Sequence, residues 1–378
     1  MMPFDPSLPL ERARTLPADW YTSEAMAQRE RQRLFSNVWL LAGRRDQVAQ
    51  PGDFFTCTLG GEPLVITRDE AGQLHALVNV CRHRAARVAC AEQGHAPHLR
   101  CRYHGWTYDL AGNLRGVPEF AGVEEFRREE HGLPRVQVAE WGPLVWVHLG
   151  ESAPPLTEWL GELERFNLSQ RLAGLQWSAR RDYRLDCNWK VFVDNYLDGG
   201  YHVNTVHPTL AGVLDYAQYR TQLLEHSSVQ ISPLEPSGSA EVDRVRGGAE
   251  AYYVWIFPNT MLNIYEGVMD VNLVLPEGPD HCRVLFDFYF APDWDADTRA
   301  RSIELAHQIQ REDEGVCLDV QLGLTSRTYT TGRFSVKREA GGYHFHRLLA
   351  RWLQDSEPRN TRMDTDEETH EREKSHWS

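Results

Sequence analysis

Along the chain the spacing of apolar positions changes several times, and each change predicts a different kind of structure. Residues 1–20 are Pro-rich and irregular. After them Thr22-Ser-Glu-Ala-Met predicts a helix start, capped by Thr22 or Ser23 and running to about Phe35. From Val38 to about Glu151 the apolar residues fall in short β-branched and aromatic blocks: Trp39–Leu41, Phe54–Thr56, Pro63–Thr67, His75–Asn79 and Leu144–His148. Gly60-Gly61, Asp109–Gly112 and Gly142-Pro143 separate them as turns, which predicts an all-β module of short antiparallel strands. Pro154-Pro155 then lead into a helix around Leu156–Phe166.

A second domain follows. Asn188 to about His207 is dense and helical, limited by Pro208. Strands are predicted at Tyr252–Phe257, Met261–Tyr265, Val268–Leu275 and Arg283–Phe290, with a turn over Pro276–Asp280. Residues 297–322 predict a long helix and Phe345–Leu353 a short one. The expected organisation is therefore an N-terminal segment and helix over 1–37, a β module over 38–151, a second domain over 152–355, and a polar, mobile tail over 356–378. No internal repeat is visible.

Composition narrows the function. With 378 residues, 42% hydrophobic and 25% charged, the chain is too long for one small domain and too apolar to be disordered. No run approaches the ~18 apolar residues of a membrane span. The first residues show no basic stretch followed by an apolar one, so a cytoplasmic protein without a membrane partner is expected. A net charge of −14 disfavours nucleic acid and says little about a small substrate. Seven cysteines (57, 81, 90, 101, 187, 282 and 317) form an odd set, which argues for thiols or metal ligation over a disulfide framework.

Two constellations carry chemistry. The first is Cys81-Arg-His83 with Cys101-Arg-Tyr-His104, two Cys/His pairs on two short loops. Such a set suits tetrahedral zinc or a Rieske [2Fe–2S] cluster, in which both Cys bind one iron and both His the other. Cys90 reads as a buried thiol or a loop residue, and His95 and His98 as solvated loop histidines. The second constellation lies in 188–207. Asp194, Asp198 and His202 are spaced i, i+4, i+8, one stripe of a helix, while His207 lies about 140° further round. Both imidazoles reach one metal only if the helix ends or bulges between them, and Gly199-Gly200 and Pro208 suit such a break. A redox iron that keeps positions open uses two His and one carboxylate. Asp313 is the candidate carboxylate, with Glu312 and Glu314 beside it.

The segments Cys81-Arg-His-Arg-Ala-Ala-Arg-Val-Ala and Cys101-Arg-Tyr-His-Gly-Trp-Thr-Tyr-Asp resemble the Rieske domains of oxygenases. Over about residues 20–355 the chain resembles the Rieske non-heme iron oxygenase α subunits. That resemblance implies an α+β fold, an all-β Rieske domain followed by a helix-grip catalytic domain of antiparallel sheet plus long helix. It implies cluster ligands Cys81, His83, Cys101 and His104, supported by Tyr103, Gly105 and Trp106. It implies His202, His207 and Asp313 as ligands of a mononuclear Fe(II), since the family places its aspartate on this late helix. Asn188-Trp-Lys-Val-Phe, Asn195–His202 and Met269–Pro276 look most like the branch that oxidises choline, betaines and carnitine.

The resemblance also implies reductive activation of O2, with electrons from NAD(P)H through a separate reductase or ferredoxin. The chain has no G-x-G-x-x-G of its own. A homotrimer, or stacked trimers, is expected. In ring-hydroxylating relatives a carboxylate three residues before the first iron His bridges to a neighbouring subunit, but here that position is Gly199. Asp198 and Asp194 compete for the role, and with Asn195 they are the candidate catalytic residues. A quaternary ammonium substrate requires an aromatic cage, for which Tyr253, Trp255 and Phe257 on one strand face, joined by Tyr265, are candidates. Asp270 and Glu266 read as either pocket or surface. An oxygenase of aromatic rings or aromatic acids would share every ligand, whereas a pure electron carrier or structural metal protein leaves His202 and His207 unexplained.

Overall fold

In the computed structural model, residues 4–207, 214–236, 238 and 240–354 are described; Pro208 and the polar tail 356–378 lie outside them. Ser23 caps the first substantial helix, its Oγ accepting from the Met26 N–H at 3.4 Å. After Glu24–Arg29 the helix widens over Glu30–Leu34. This segment is no appendage. Glu30 is buried, accepts from Trp189 Nε1 at 2.8 Å and pairs with Lys190 Nζ at 2.5 Å, tying the N-terminal helix to the catalytic domain.

The β module is a seven-stranded antiparallel sheet in the order β1-β10-β9-β4-β3-β2-β5. Its strands are β1 (Trp39–Arg44), β2 (Asp53–Leu59), β3 (Glu62–Arg68), β4 (Leu74–Val78), β5 (Gln93–His95), β9 (Arg135–Trp141) and β10 (Leu144–His148). Gly60 and Gly61 both have positive φ, which lets a two-residue turn join β2 to β3. A small sheet of β6 (Leu99–Arg100), β7 (Thr107–Tyr108) and β8 (Leu114–Gly116) stands beside it.

The second domain is built on another seven-stranded antiparallel sheet, β11-β17-β16-β15-β14-β13-β12. Four strands fall where the apolar pattern puts them: β14 (Glu250–Ile256), β15 (Thr260–Tyr265), β16 (Val268–Pro276) and β17 (Cys282–Phe290). Three others lack that pattern. β11 (Gln176–Leu185) is a largely exposed edge strand rich in charge, β12 (Arg220–Leu223) is the opposite edge, and β13 (Ser227–Pro233) buries mostly polar residues. The long helix Ala296–Leu324, capped by Asp295, lies over the sheet, where Tyr183 stacks on His307 and bonds its Nδ1 at 3.0 Å. The last helix starts at Ala340, five residues before its predicted start, because Gly341-Gly342 disguise its first turn. A Cβ at Gly341 would stand 2.9 Å from the Leu197 carbonyl, so this helix approaches that backbone only without side chains.

The predicted helix over 188–207 is corrected. It is capped by Asn188, spans Trp189–Tyr196, and buries Trp189, Val191, Phe192 and Val193, each stabilising the packing by roughly 1.5–3 kcal/mol. It then stops. Gly199 and Gly200 have φ of 70° and 72°, and a Cβ at Gly199 would sit 2.1 Å from the Arg338 carbonyl oxygen. One further turn, Val203–Val206, follows. Asp194, Asp198 and His202 therefore do not share a helical stripe. Among the described residues, no helix is long and apolar enough to cross a membrane.

Candidate active site and cluster site

The two cluster loops are built alike. Cys81 N–H donates to Ala86 O and Ala85 N–H returns to Cys81 O; Cys101 N–H donates to Trp106 O and Gly105 N–H returns to Cys101 O. The fifth residue of each loop, Ala85 or Gly105, has positive φ. These turns bring two buried thiols and two imidazoles together, with the His83 and His104 ring centroids 4.6 Å apart. Trp106 stacks on His83 and Tyr103 on His104. Tyr108 OH lies 3.4 Å from Cys81 Sγ and accepts the Arg82 N–H. His83 Nδ1 is buried without a hydrogen-bond partner. A buried lone pair left bare beside two thiols fits metal ligation, so the four residues can hold the cluster. Asn79 fastens the spacer, accepting from Val88 and Ala89 N–H. Cys90 is exposed, as are His95 and His98.

In the second domain the break after Tyr196 positions the metal candidates. His202 precedes the short turn Val203–Val206 and His207 ends it. Asp198 Oδ2 lies 2.6 Å from His202 Nδ1, and Glu312 Oε2 lies 2.6 Å from His207 Nδ1. With both Nδ1 atoms donating to carboxylates, each Nε2 presents a lone pair. These face each other at 3.1 Å and lie 3.5 and 3.0 Å from Asp313 Oδ1. Ligands bound at about 2.1 Å and at right angles stand about 3 Å apart, so one face of an octahedral ion fits this triangle. Three lone pairs converging on one point repel unless a cation stands between them. The His207 pKa reports the same field: burial depresses it, but Asp313 and then Glu312 outweigh burial and raise it. Asn195 Nδ2 donates to Asp313 Oδ1 at 2.7 Å and steadies the carboxylate.

Asp194 takes no part in this triangle. It accepts from Tyr21 OH at 2.6 Å and pairs with His346 Nε2 at 2.8 Å. Glu314 takes no part in the triangle either, while Glu312 proves to be the partner of His207 and not a competing ligand.

A cavity of about 100 Å³, open on one side to solvent, borders the triad. Tyr253 and Tyr265 line it, with Tyr219, which the sequence reading missed. Trp255 and Phe257 do not. Both are wholly buried: Trp255 packs on Phe257 and on Phe345 of the last helix, so this end of the strand lies in the core and not beside the triad. Asp270 lines the cavity, whereas Glu266 is exposed. Asp270 Oδ2 accepts from Asn263 and Asn272 side-chain amides. Burial raises its pKa against the opposing charge of Arg246. Arg246 also lines the cavity, in a Gly-rich stretch with no periodicity to expose it in the sequence.

Comparison with known proteins identifies the family of the chain. Residues 38–127 match the family model of the Rieske [2Fe-2S] domain and residues 172–355 that of the ring hydroxylating alpha subunit catalytic domain. The chain belongs to the Rieske non-heme iron oxygenase α subunits, an oxidoreductase family whose cofactors are a Rieske [2Fe–2S] cluster and a mononuclear iron, with O2 as co-substrate. Within it, the chain is 41% identical to the chloroplastic choline monooxygenase of Arabidopsis thaliana, over 92% of this chain and 84% of that protein. It is 28% identical to the carnitine monooxygenase oxygenase subunit of Escherichia coli, over 91% and 95%. The crystal structure of the quaternary ammonium Rieske monooxygenase CntA in complex with L-carnitine matches with a TM-score of 0.83 at 27% identity, covering 94% of this chain and all of that one.

Proposed function

We propose that the chain is a terminal oxygenase that hydroxylates a quaternary ammonium compound such as choline or a betaine. In this reading Cys81, His83, Cys101 and His104 hold the cluster, and His202, His207 and Asp313 hold the iron. The observation that carries it is the convergence of His202 Nε2, His207 Nε2 and Asp313 Oδ1 within 3.5 Å of one another at the edge of a tyrosine-lined cavity. When bound, the iron supplies reductive activation of O2 and the cluster supplies electrons one at a time. The balance is one substrate C–H, O2, two electrons and two protons giving C–OH and water.

The chain's own groups prepare that chemistry. Asp198 and Glu312 hold each ring with Nε2 free, and Asn195 fixes the Asp313 carboxylate. Tyr219 and Tyr253 are stacked with centroids 6.3 Å apart, and their π faces suit a trimethylammonium group.

Electrons come from NAD(P)H through a separate reductase or ferredoxin, and pass between copies in a homotrimer. Both ends of such a path reach the surface: His104 is exposed beneath Tyr103, and Tyr201 beside His202 is 56% exposed. Exposed Leu318, Val320 and Leu322 on the long helix supply an apolar surface for a neighbour. The same assembly gives Asp198, in contact with His202, a better claim than Asp194 to the inter-subunit path. None of the seven cysteines is in a disulfide, which supports a reducing compartment such as the cytoplasm.

Metal analysis with EPR tests the ligand assignment. About three irons per chain, and a reduced spectrum with the low average g of mixed Cys/His ligation, are expected. His207→Ala should drop the count to about two with the spectrum unchanged. One zinc per chain contradicts the proposal.

A further inference from the structure

The cavity beside the triad contains a charge that the oxygenase chemistry does not use. Arg246 is only 7% exposed and lines the cavity together with Asp270, Tyr253 and Tyr265. Its guanidinium lies over the Tyr265 ring, 4.5 Å from the centroid. Its Nε is buried with no hydrogen-bond partner, and among the described residues it forms no ion pair. Asp270 does not close the gap. Its Oδ2 is taken by the amides of Asn263 and Asn272, and it reaches Arg246 only through the longer-range field. A buried guanidinium without a carboxylate partner is costly, and its planar donors match a carboxylate in two-pronged geometry.

The position is built. Arg246 follows the short helix Ala240–Val245, and Gly247-Gly248 then hold the chain against the turn between β15 and β16. There the Glu266 N–H donates to Gly247 O at 3.2 Å, and a Cβ at Gly248, whose φ is 113°, would stand 3.1 Å from the Glu266 Cβ. Arg246 is thus pinned to the strands that carry Tyr265 and Asp270. The Tyr265 face is occupied by the guanidinium, which leaves Tyr219 and Tyr253 to receive a cation. The cavity has two poles, an aromatic one for an ammonium group and a cationic one for an anion.

We infer that Arg246 binds a carboxylate of the substrate, so that the preferred substrate is a zwitterionic betaine, with a trimethylammonium and a carboxylate, and not the alcohol choline. This rests on the proposed quaternary ammonium reading and narrows it. Choline offers the aromatic pole its cation and leaves the guanidinium, which has Tyr265 beside it, without a carboxylate partner. A betaine satisfies both.

Calorimetric titration of the full-length, cluster- and iron-loaded protein tests this. The probes are glycine betaine, its methyl ester, choline, and 3,3-dimethylbutyrate, which keeps the carboxylate and lacks the ammonium. Glycine betaine should bind at least about tenfold more tightly than choline or the ester, since a hydrogen-bonded charge pair is at stake. Arg246→Gln should weaken glycine betaine by about 10- to 100-fold and affect choline far less, with Arg246→Lys intermediate. 3,3-Dimethylbutyrate should bind wild type weakly and Arg246→Gln more weakly still. Equal affinity for glycine betaine and its ester in wild type overturns the inference, and that comparison stands even if a variant fails to fold. An equal loss for every ligand in Arg246→Gln also overturns it. If no trimethylammonium compound binds at all, the quaternary ammonium reading falls with it; if choline binds as well as glycine betaine, only the role of Arg246 falls.

Discussion

Asp198 sets both the backbone and the ring of His202. Its Oδ1 accepts the Tyr201 N–H at 3.0 Å, while Oδ2 accepts the His202 N–H at 2.9 Å and lies 2.6 Å from His202 Nδ1. One side chain therefore shapes the turn after Gly199-Gly200 and fixes the tautomer that frees Nε2. Asp198→Asn keeps the shape and removes the charge, and it should lower turnover by about 10- to 100-fold. The EPR spectrum of the reduced cluster should not change. Unchanged turnover would remove Asp198 from both roles.

Glu312 does the same for His207, across 105 residues of sequence, with Oε2 at 2.6 Å from Nδ1. Glu312→Gln should weaken retention of the mononuclear iron by about 10- to 100-fold in competition with a chelator. Acid-labile sulfide should stay at the wild-type level. Iron retention equal to wild type would show that Glu312 is only a surface neighbour.

The strands that are mostly apolar, such as Val268–Pro276 and Cys282–Phe290, were legible in sequence because burial on both faces leaves few polar positions in them. The cluster loops were legible because their ligands lie within four residues of each other. What the sequence hid depends on distant partners. The helix break at 197–202 needs Gly199, whose Cβ position is filled by the Arg338 carbonyl far along the chain. Trp255 and Phe257 alternate with Tyr253, yet Trp255 packs on Phe257 and on Phe345 of the distant last helix, and both are buried in the core. Arg246 sits among Gly and charged residues, and only its burial against Tyr265 distinguishes it from a solvated arginine. β11 could not be read because it is mostly exposed and charged, with no apolar alternation.

The Lys190–Glu30 pair holds the N-terminal helix to the catalytic domain at 2.5 Å, with both side chains buried. Burial lowers the Lys190 pKa, and Glu30 opposes that. Lys190→Met strands a buried carboxylate and should cost about 3–5 kcal/mol. Adding Glu30→Leu should recover part of that loss, because an apolar pair replaces an uncompensated charge. Thermal unfolding of the holoprotein measures both. A double variant as unstable as Lys190→Met alone would contradict the pairing account.

His344 gives a pH dependence with a defined sign. Burial first, then Arg351, Arg347 and His226, push its pKa from 6.5 down to about 4 despite a hydrogen bond to the Leu224 backbone. Between those values the unfolded chain binds a proton that the folded chain refuses. Stability is therefore whole above pH 6.5 and falls as pH drops toward 4, by roughly 3 kcal/mol in all. His344→Gln should move the acid unfolding midpoint downward. A midpoint that stays in place would assign the acid lability to other groups.

The central claim is that the triad and the tyrosine-lined cavity together oxidise a quaternary ammonium compound. The most direct measurement is O2 uptake coupled to product formation by the iron-loaded protein with a surrogate reductase, run in parallel with glycine betaine, carnitine, choline and benzoate. The account predicts one hydroxylated product per O2 and two electrons with a trimethylammonium substrate, and none with benzoate. Turnover of benzoate with no binding or turnover of any trimethylammonium compound would contradict it.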